Sequence, residues 1–307
     1  MSLQAVLLQQ LTNAVMLGTI YGLIAIGFSL FFGTLDIIQF AHGDVYMLGG
    51  FAALTVAAAL TSAAASAPAL AVPLVFVAGA ALTALAGVAF GRLAVRPLLG
   101  SPPLITLLAT LAGGIALREA VRLFYPNGTA AQRFPSLFPA GSVELGGVLI
   151  RYDNFFILAI GLGVFAATAL LVNRTRLGRA IRAISQDREA AAMMGVDLDR
   201  TLDLCFVLGS ALAGVAGALY GAYYNQVIFT MGLTGGLIGF SAATIGGLGH
   251  ILGAVVGGYL FALLQTLASA LLPGGSEYRD VFAFLVVILF LMFRPTGILG
   301  ERQAERV

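Results

Sequence analysis

The chain is a succession of long apolar runs separated by short polar ones, and charge-free intervals of about 20 residues mark where it can cross a bilayer. The first run covers about residues 12–34, with Gly18 and Gly22 at the four-residue spacing that lets helices approach closely. Val45 to Gly91 has room for two more, separated near Ser66 to Pro68. Arg92 and Arg96, followed by Pro97, Pro102 and Pro103, form a turn, and a fourth run reaches Leu117. Arg118 to Asp153 is polar and rich in Pro and Gly, and it reads as the main external loop. Phe155 to Asn173 is a fifth span. The interval 204–276 holds no formal charge apart from a possible proton on His250, so it allows three crossings with short connectors. The last span starts near Arg279 and Asp280 and ends at Arg294 and Pro295. This pattern predicts an all-α, polytopic transmembrane bundle of about eight to nine spans, with discontinuous helices, forming a single domain over 1–307.

One polar stretch stands apart. Residues 174–200 carry six of the sixteen arginines and four of the fourteen acidic residues, so the stretch must sit in water, and its arginines place it on the cytoplasmic side. It also has the marks of structure: Asp187 is a candidate N-cap, Arg188 and Glu189 open a run of good helix formers, and Gly195 falls at a left-handed cap just before Val196. A short helix over Asp187 to Gly195, presenting Met193 and Met194, has the character of a docking element; the bland alternative is a solvated loop that fixes topology. Parity agrees with this placement. Three crossings and the last one return the C-terminal tail, with Arg294, Arg302 and Arg306, to the same side, and five earlier crossings put the N-terminus outside. A re-entrant early segment lowers the count by one.

Composition supports the class, with 60% hydrophobic residues, 10% charged residues and a mean hydropathy of +0.99. The apolar runs are continuous and lack period-two alternation, which excludes a transmembrane barrel. All sixteen basic residues are arginine, and Cys205 is the single cysteine, so an intrachain disulfide and a cysteine metal site are excluded. The first eighteen residues have no charged n-region and no evident cleavage site, so the first run is expected to be a retained span.

Polar residues within apolar zones are the candidate chemistry. Asp36 to Asp44 contains Gln39, His42 and Asp44 but no arginine, although parity puts it at the cytoplasmic face. Either it interrupts a helix inside the protein and lines a cavity, or it is an interfacial turn capping the second helix. A second zone runs through Tyr223 to Val227, Thr234 to Gly236 and Thr244 to His250; its glycines suit a ligand's approach or close helix packing. Gly209, Ala213, Gly217 and Gly221, and likewise Gly249, Gly253 and Gly257, form small-residue stripes that speak for packing alone. No GxxxxGK[ST], HExxH or GxSxG is present, and Ser210 with His250 is only a formal dyad, so the chain is expected to be no enzyme.

In combination, the segments Gly22 to Gly50, Leu177 to Arg200, Ala243 to Gly258, Glu277 to Asp280 and Pro295 to Gly300 resemble the LivH-type permease subunits of bacterial branched-chain amino-acid ABC importers, and the likeness covers nearly the whole chain. The resemblance implies that Arg174 to Arg200 meets the ATPase, with Asp187, Arg188, Glu189, Met193, Met194, Gly195 and Val196 as the coupling residues. It implies that Phe40 to Gly43 belongs to the translocation pathway. It further implies a second homologous permease subunit, two ABC ATPase subunits that hold ATP and Mg, a periplasmic substrate-binding protein, and a setting in inner-membrane lipid. No cofactor on this chain and no nucleic-acid partner are expected.

An alternative remains open at this point: a self-sufficient ion-coupled transporter in which Asp36, Asp44 or His42 carries a proton, although a relay normally needs carboxylates deep in the bundle. Urea, amides and aromatic acids remain open as cargo. With no arginine between Arg200 and Arg279, the expected passage is weak and loosely selective, lined by Tyr46, Asn225, Gln226 and Thr244. A tight site made of half-helix ends near Gly235 and Gly246 is the competing expectation.

Overall fold

The computed structural model describes residues 3–60, 68–139, 141–145, 148–271 and 275–300, and these are overwhelmingly helical. The connector at Ser66 and the tail arginines Arg302 and Arg306 lie outside the described residues. Among the described residues, six helices are long and apolar enough to cross a membrane. The most deeply buried of them is α1 (Leu3–Leu35), at the centre of the bundle. It is apolar on every side because protein surrounds it. Alongside it runs α10 (Ile251–Leu271), so close that a Cβ on Gly258 would overlap the backbone of Gly22.

The other spans wrap this pair: α3 (Pro68–Phe90), which continues through a π turn at Gly91–Val95 and a short 3-10 turn at Arg96–Leu98, then α4 (Pro103–Phe124), α5 (Tyr152–Arg174) and α8 (Leu198–Tyr224). Three shorter helices complete the bundle: α2 (Ala41–Ala59), α9 (Met231–Gly246) and α11 (Gly275–Phe293). With 16 residues, α9 is about 24 Å long, short of the roughly 30 Å hydrocarbon core, and so is a partial span. Leu70, Leu85, Leu104, Leu170 and Ile288 point outward and exposed, as lipid-facing residues do.

The two faces are easily told apart. Gln9 on α1 exchanges hydrogen bonds with the Leu149 backbone (3.0 and 3.2 Å), so α1 starts at the hairpin formed by β2 (Ser142–Leu145) and β3 (Val148–Arg151). It ends at the arginine-rich face, where α6 (Arg176–Gln186) and α7 (Arg188–Met193) lie. Helix α4 extends past the expected loop boundary: Arg118, Glu119 and Arg122 are all helical. Their charges are satisfied there, Arg122 by Glu119 (2.5 Å) and Arg118 by Asp44 on α2, so the helix has no reason to stop at Leu117. The loop that follows is tied down by β1 (Gln132–Arg133), which pairs antiparallel with β4 (Gln226–Val227), and by Phe134, buried against Gly221.

Candidate functional site

The connection from α1 to α2 climbs back into the bundle. After Leu35 the chain turns at Asp36, held in the left-handed region at φ 55°, and a short non-helical run leads to α2 at Ala41. His42, in the first turn of α2, already lies beside Ile24 and Gly27 of α1. That is eight to eleven residues before α1 ends, about 12 to 16 Å in from the arginine-rich face at the helical rise. Helix α2 therefore begins inside the protein, as a broken helix does.

Three side chains at this break are buried. His42 Nε2 lies 3.2 Å from the Ile24 carbonyl, and since a carbonyl only accepts, Nε2 carries the proton. Its ring sits edge-on between Phe28 and Phe31, at 4.9 and 5.4 Å. Nδ1 then has no partner among the described residues, and neither does the side-chain amide of Gln39. Asp44 forms a two-pronged ion pair with Arg118 of α4 (2.9 and 3.0 Å), the two side chains being 6% and 15% exposed. The carboxylate fills a slot between Gly114 of α4 and Gly232 of α9, where a Cβ on either would come within 2.5 Å of it. One carboxylate thereby ties together α2, α4 and α9.

On the loop-face side of this break lies a cavity of about 280 Å³ between α1, α2, α8, α9 and α11. Tyr21, Tyr46, Tyr220 and Tyr224 form much of its wall, and Arg279 and Asp280 at the start of α11 supply its charge. These groups are linked in a chain: the Tyr21 hydroxyl donates to Gln265 Oε1 (2.9 Å), Gln265 Nε2 donates to Asp280 Oδ1 (2.6 Å), and Arg279 Nε lies 3.4 Å from the same oxygen. The Arg279 guanidinium also meets the Tyr224 hydroxyl. Toward the arginine-rich face lies a stack of rings: Phe40 and Phe28 pack on Phe240 (5.6 and 6.0 Å), while Phe31 joins His42 to Phe206 (4.9 Å).

Of the residues singled out from sequence, the structure gathers Gln39, His42, Asp44 and Tyr46 on one stretch of α2 and its approach. Tyr46 lines the cavity. Asn225 and Gln226 are exposed on the loop face, and Thr244 sits near the opposite end of α9, bonded to the Phe240 carbonyl (2.7 Å). Ser210 and His250 are not together: Ser210 faces Gly87, whereas His250 caps α10 by accepting from the Gly253 amide (3.0 Å). Arg118, Gln265, Arg279 and Asp280 went unremarked as site residues. Arg118, Arg279 and Asp280 stand where the apolar runs end and so read as span ends, while Gln265 is a lone amide within an apolar run.

At the arginine-rich face α7 has the expected ends. Asp187 Oδ1 accepts from the amides of Glu189 and Ala190 (2.9 and 3.0 Å), and Gly195 takes φ 84°. The amides of Gly195 and Val196 return to the Ala192 and Ala191 carbonyls, completing a Schellman cap. Met193 and Met194 are 82% and 85% exposed. Arg92 and Arg96, at the end of α3, pair with Asp203 of α8 (2.6 and 2.8 Å), bracing the helix that leaves this face for the cavity.

Comparison with known proteins gives a consistent result. The profile of the family described as "Branched-chain amino acid transport system / permease component" matches residues 10–291. The chain is 36% identical over 304 residues to the high-affinity branched-chain amino acid transport system permease protein BraD of Pseudomonas aeruginosa, covering 98% of both chains. It is likewise 36% identical to the permease protein LivH of Escherichia coli K12, covering 98% of this chain and 97% of that one. A probable LivH of Methanocaldococcus jannaschii is 28% identical, with 94% and 91% covered.

Proposed function

The chain belongs to the family of branched-chain amino acid transport permease components, and on that premise we propose that it is the membrane-spanning subunit of an ATP-driven importer of branched-chain or other hydrophobic amino acids. The observation that carries this reading, beside the family likeness, is α7: a capped helix that leaves two methionines bare in water is explained by a partner surface. The partners are a second homologous permease subunit, two ABC ATPase subunits and a periplasmic substrate-binding protein. ATP and Mg belong to the ATPases.

In this reading the arginine-rich face is cytoplasmic, the C-terminus with it, and the cavity faces the periplasm of an inner-membrane transporter. Cargo released by the binding protein passes Asn225 and Gln226, enters beside Tyr46, and is held above the ring stack at Phe40, His42 and Phe240. Closure of the ATPases moves Asp187 to Val196. The motion passes through α8, which carries Asp203 at one end and Tyr220 and Tyr224 at the other, and the broken start of α2 supplies the hinge that opens a route past Gln39 and His42 to the level of Thr244. Affinity purification of the chain co-expressed with its ATPase subunits tests the docking step. Met193→Glu with Met194→Glu is expected to abolish ATPase association while the chain remains in the membrane; unchanged association would remove α7 from the interface.

A further inference from the structure

The cavity has the chemistry to hold a free α-amino acid by both of its charged ends. An aliphatic amino acid carries one carboxylate, one ammonium and an apolar side chain, and a site for it must offer one cation, one anion and an apolar wall close together. The 280 Å³ space offers all three. Arg279 is the cation and Asp280 the anion, on consecutive residues of α11. Ile228, Met231 and Ile238, with the faces of Tyr46 and Tyr220, form the apolar wall. At roughly 30 Å³ per water the space equals about nine waters, of the right order for such a solute.

Two details go beyond mere proximity. The two charges do not satisfy each other well: at 3.4 Å, the Arg279 to Asp280 contact is longer than a good charge-assisted hydrogen bond. Instead Gln265, itself held by Tyr21, grips Asp280 Oδ1, while Tyr224 meets the guanidinium, so both groups are oriented by residues of α1, α8 and α10. Both side chains are also reachable, 40% and 37% exposed, so a solute from the loop face meets them first. Among the described residues no other Arg, Asp or Glu lines the space. The first turn of α9, with Thr230 and Thr234, borders it as well and presents its positive dipole end on the same side as Arg279.

We infer that Arg279 and Asp280 form the recognition pair of an amino-acid site in this subunit, Arg279 taking the carboxylate and Asp280 the ammonium. The site thus selects the backbone of the amino acid and leaves side-chain choice to the loose aromatic and aliphatic wall. This rests on the transport reading above and narrows it, because urea and simple amides carry neither charge.

The test is ligand-observed NMR on the purified permease–ATPase complex without binding protein, using L-leucine, 4-methylpentanoate, which lacks the ammonium, and isopentylamine, which lacks the carboxylate. Leucine is expected to bind about ten-fold or more tightly than either analogue, as loss of a charged hydrogen-bonding partner demands. Arg279→Gln should weaken leucine and 4-methylpentanoate but spare the amine, Asp280→Asn should weaken leucine and the amine but spare the acid, and Arg279→Lys should restore part of the loss. Equal binding of all three ligands, or leucine binding unmoved by both substitutions, would overturn the site. Should the charge variants fail to assemble, Thr234→Cys in a Cys205→Ala background serves: a bulky thiol reagent on that residue should block leucine, and undiminished binding after full modification contradicts the proposal. ATP-driven leucine uptake by the wild-type complex with its binding protein separates the two levels. Uptake that persists alongside a negative binding result overturns the cavity site alone; no uptake at all overturns the transport reading and the site with it.

Discussion

Asp44 and Arg118 show how a single residue pair can decide whether this bundle assembles. Both charges are nearly out of reach of water, so each depends on the other; removing one leaves an unpaired charge inside the protein, at a cost of about 3 to 5 kcal/mol. Asp44→Asn or Arg118→Met alone is therefore expected to lower the yield of folded protein and its resistance to heat, read as the monodisperse fraction after heating in detergent. Asp44→Asn combined with Arg118→Met should recover much of the loss, since no charge is then stranded. A double variant as damaged as the sum of the singles would show that the pair acts as two independent residues.

At the scale of elements, the ends of helices carry the account. Gly195, just past the end of α7, sits at φ 84°, a conformation that costs a side-chain-bearing residue about 1 kcal/mol or more. Gly195→Val is expected to fray the last turn of α7 and weaken ATPase binding several-fold without affecting insertion, measured by the same co-purification; binding at the wild-type level would mean that the helix end plays no part in docking. This helix was readable in the sequence because its signals are local: Asp187, Gly195 and the apolar residues between them are near neighbours. The inner start of α2 was only half readable. The lack of arginine from Asp36 to Asp44 hinted at a buried break, but that the carboxylate meets Arg118 depends on α2 and α4 lying side by side, and no local spacing encodes that. For the same reason Arg118 looked like the end of a span. The charged wall of the cavity was hidden because Arg279 and Asp280 open a helix, where charges ordinarily mark the water boundary; only the return of α11 beside Tyr21 and Tyr224 shows that they face inward.

For the molecule as a whole, the proposed passage runs through the cavity on the loop face and is shut by the ring stack beneath it. Single cysteines in a Cys205→Ala background report this directly. Thr234→Cys is expected to react with an impermeant thiol reagent from the loop face in the resting complex, whereas Gln39→Cys and His42→Cys should react only when ATP is trapped. Reaction of Gln39→Cys from the loop face at rest would mean that the rings do not close the path. The central claim is that this chain moves hydrophobic amino acids only as the membrane part of an ATP-driven complex. Uptake of labelled leucine into proteoliposomes tests it most directly, comparing the complete complex and binding protein, with ATP at the arginine-rich face, against the purified chain alone under an imposed proton gradient. The account predicts uptake in the first case, abolished without ATP, and none in the second; leucine accumulation by the chain alone, driven by the gradient, would contradict it.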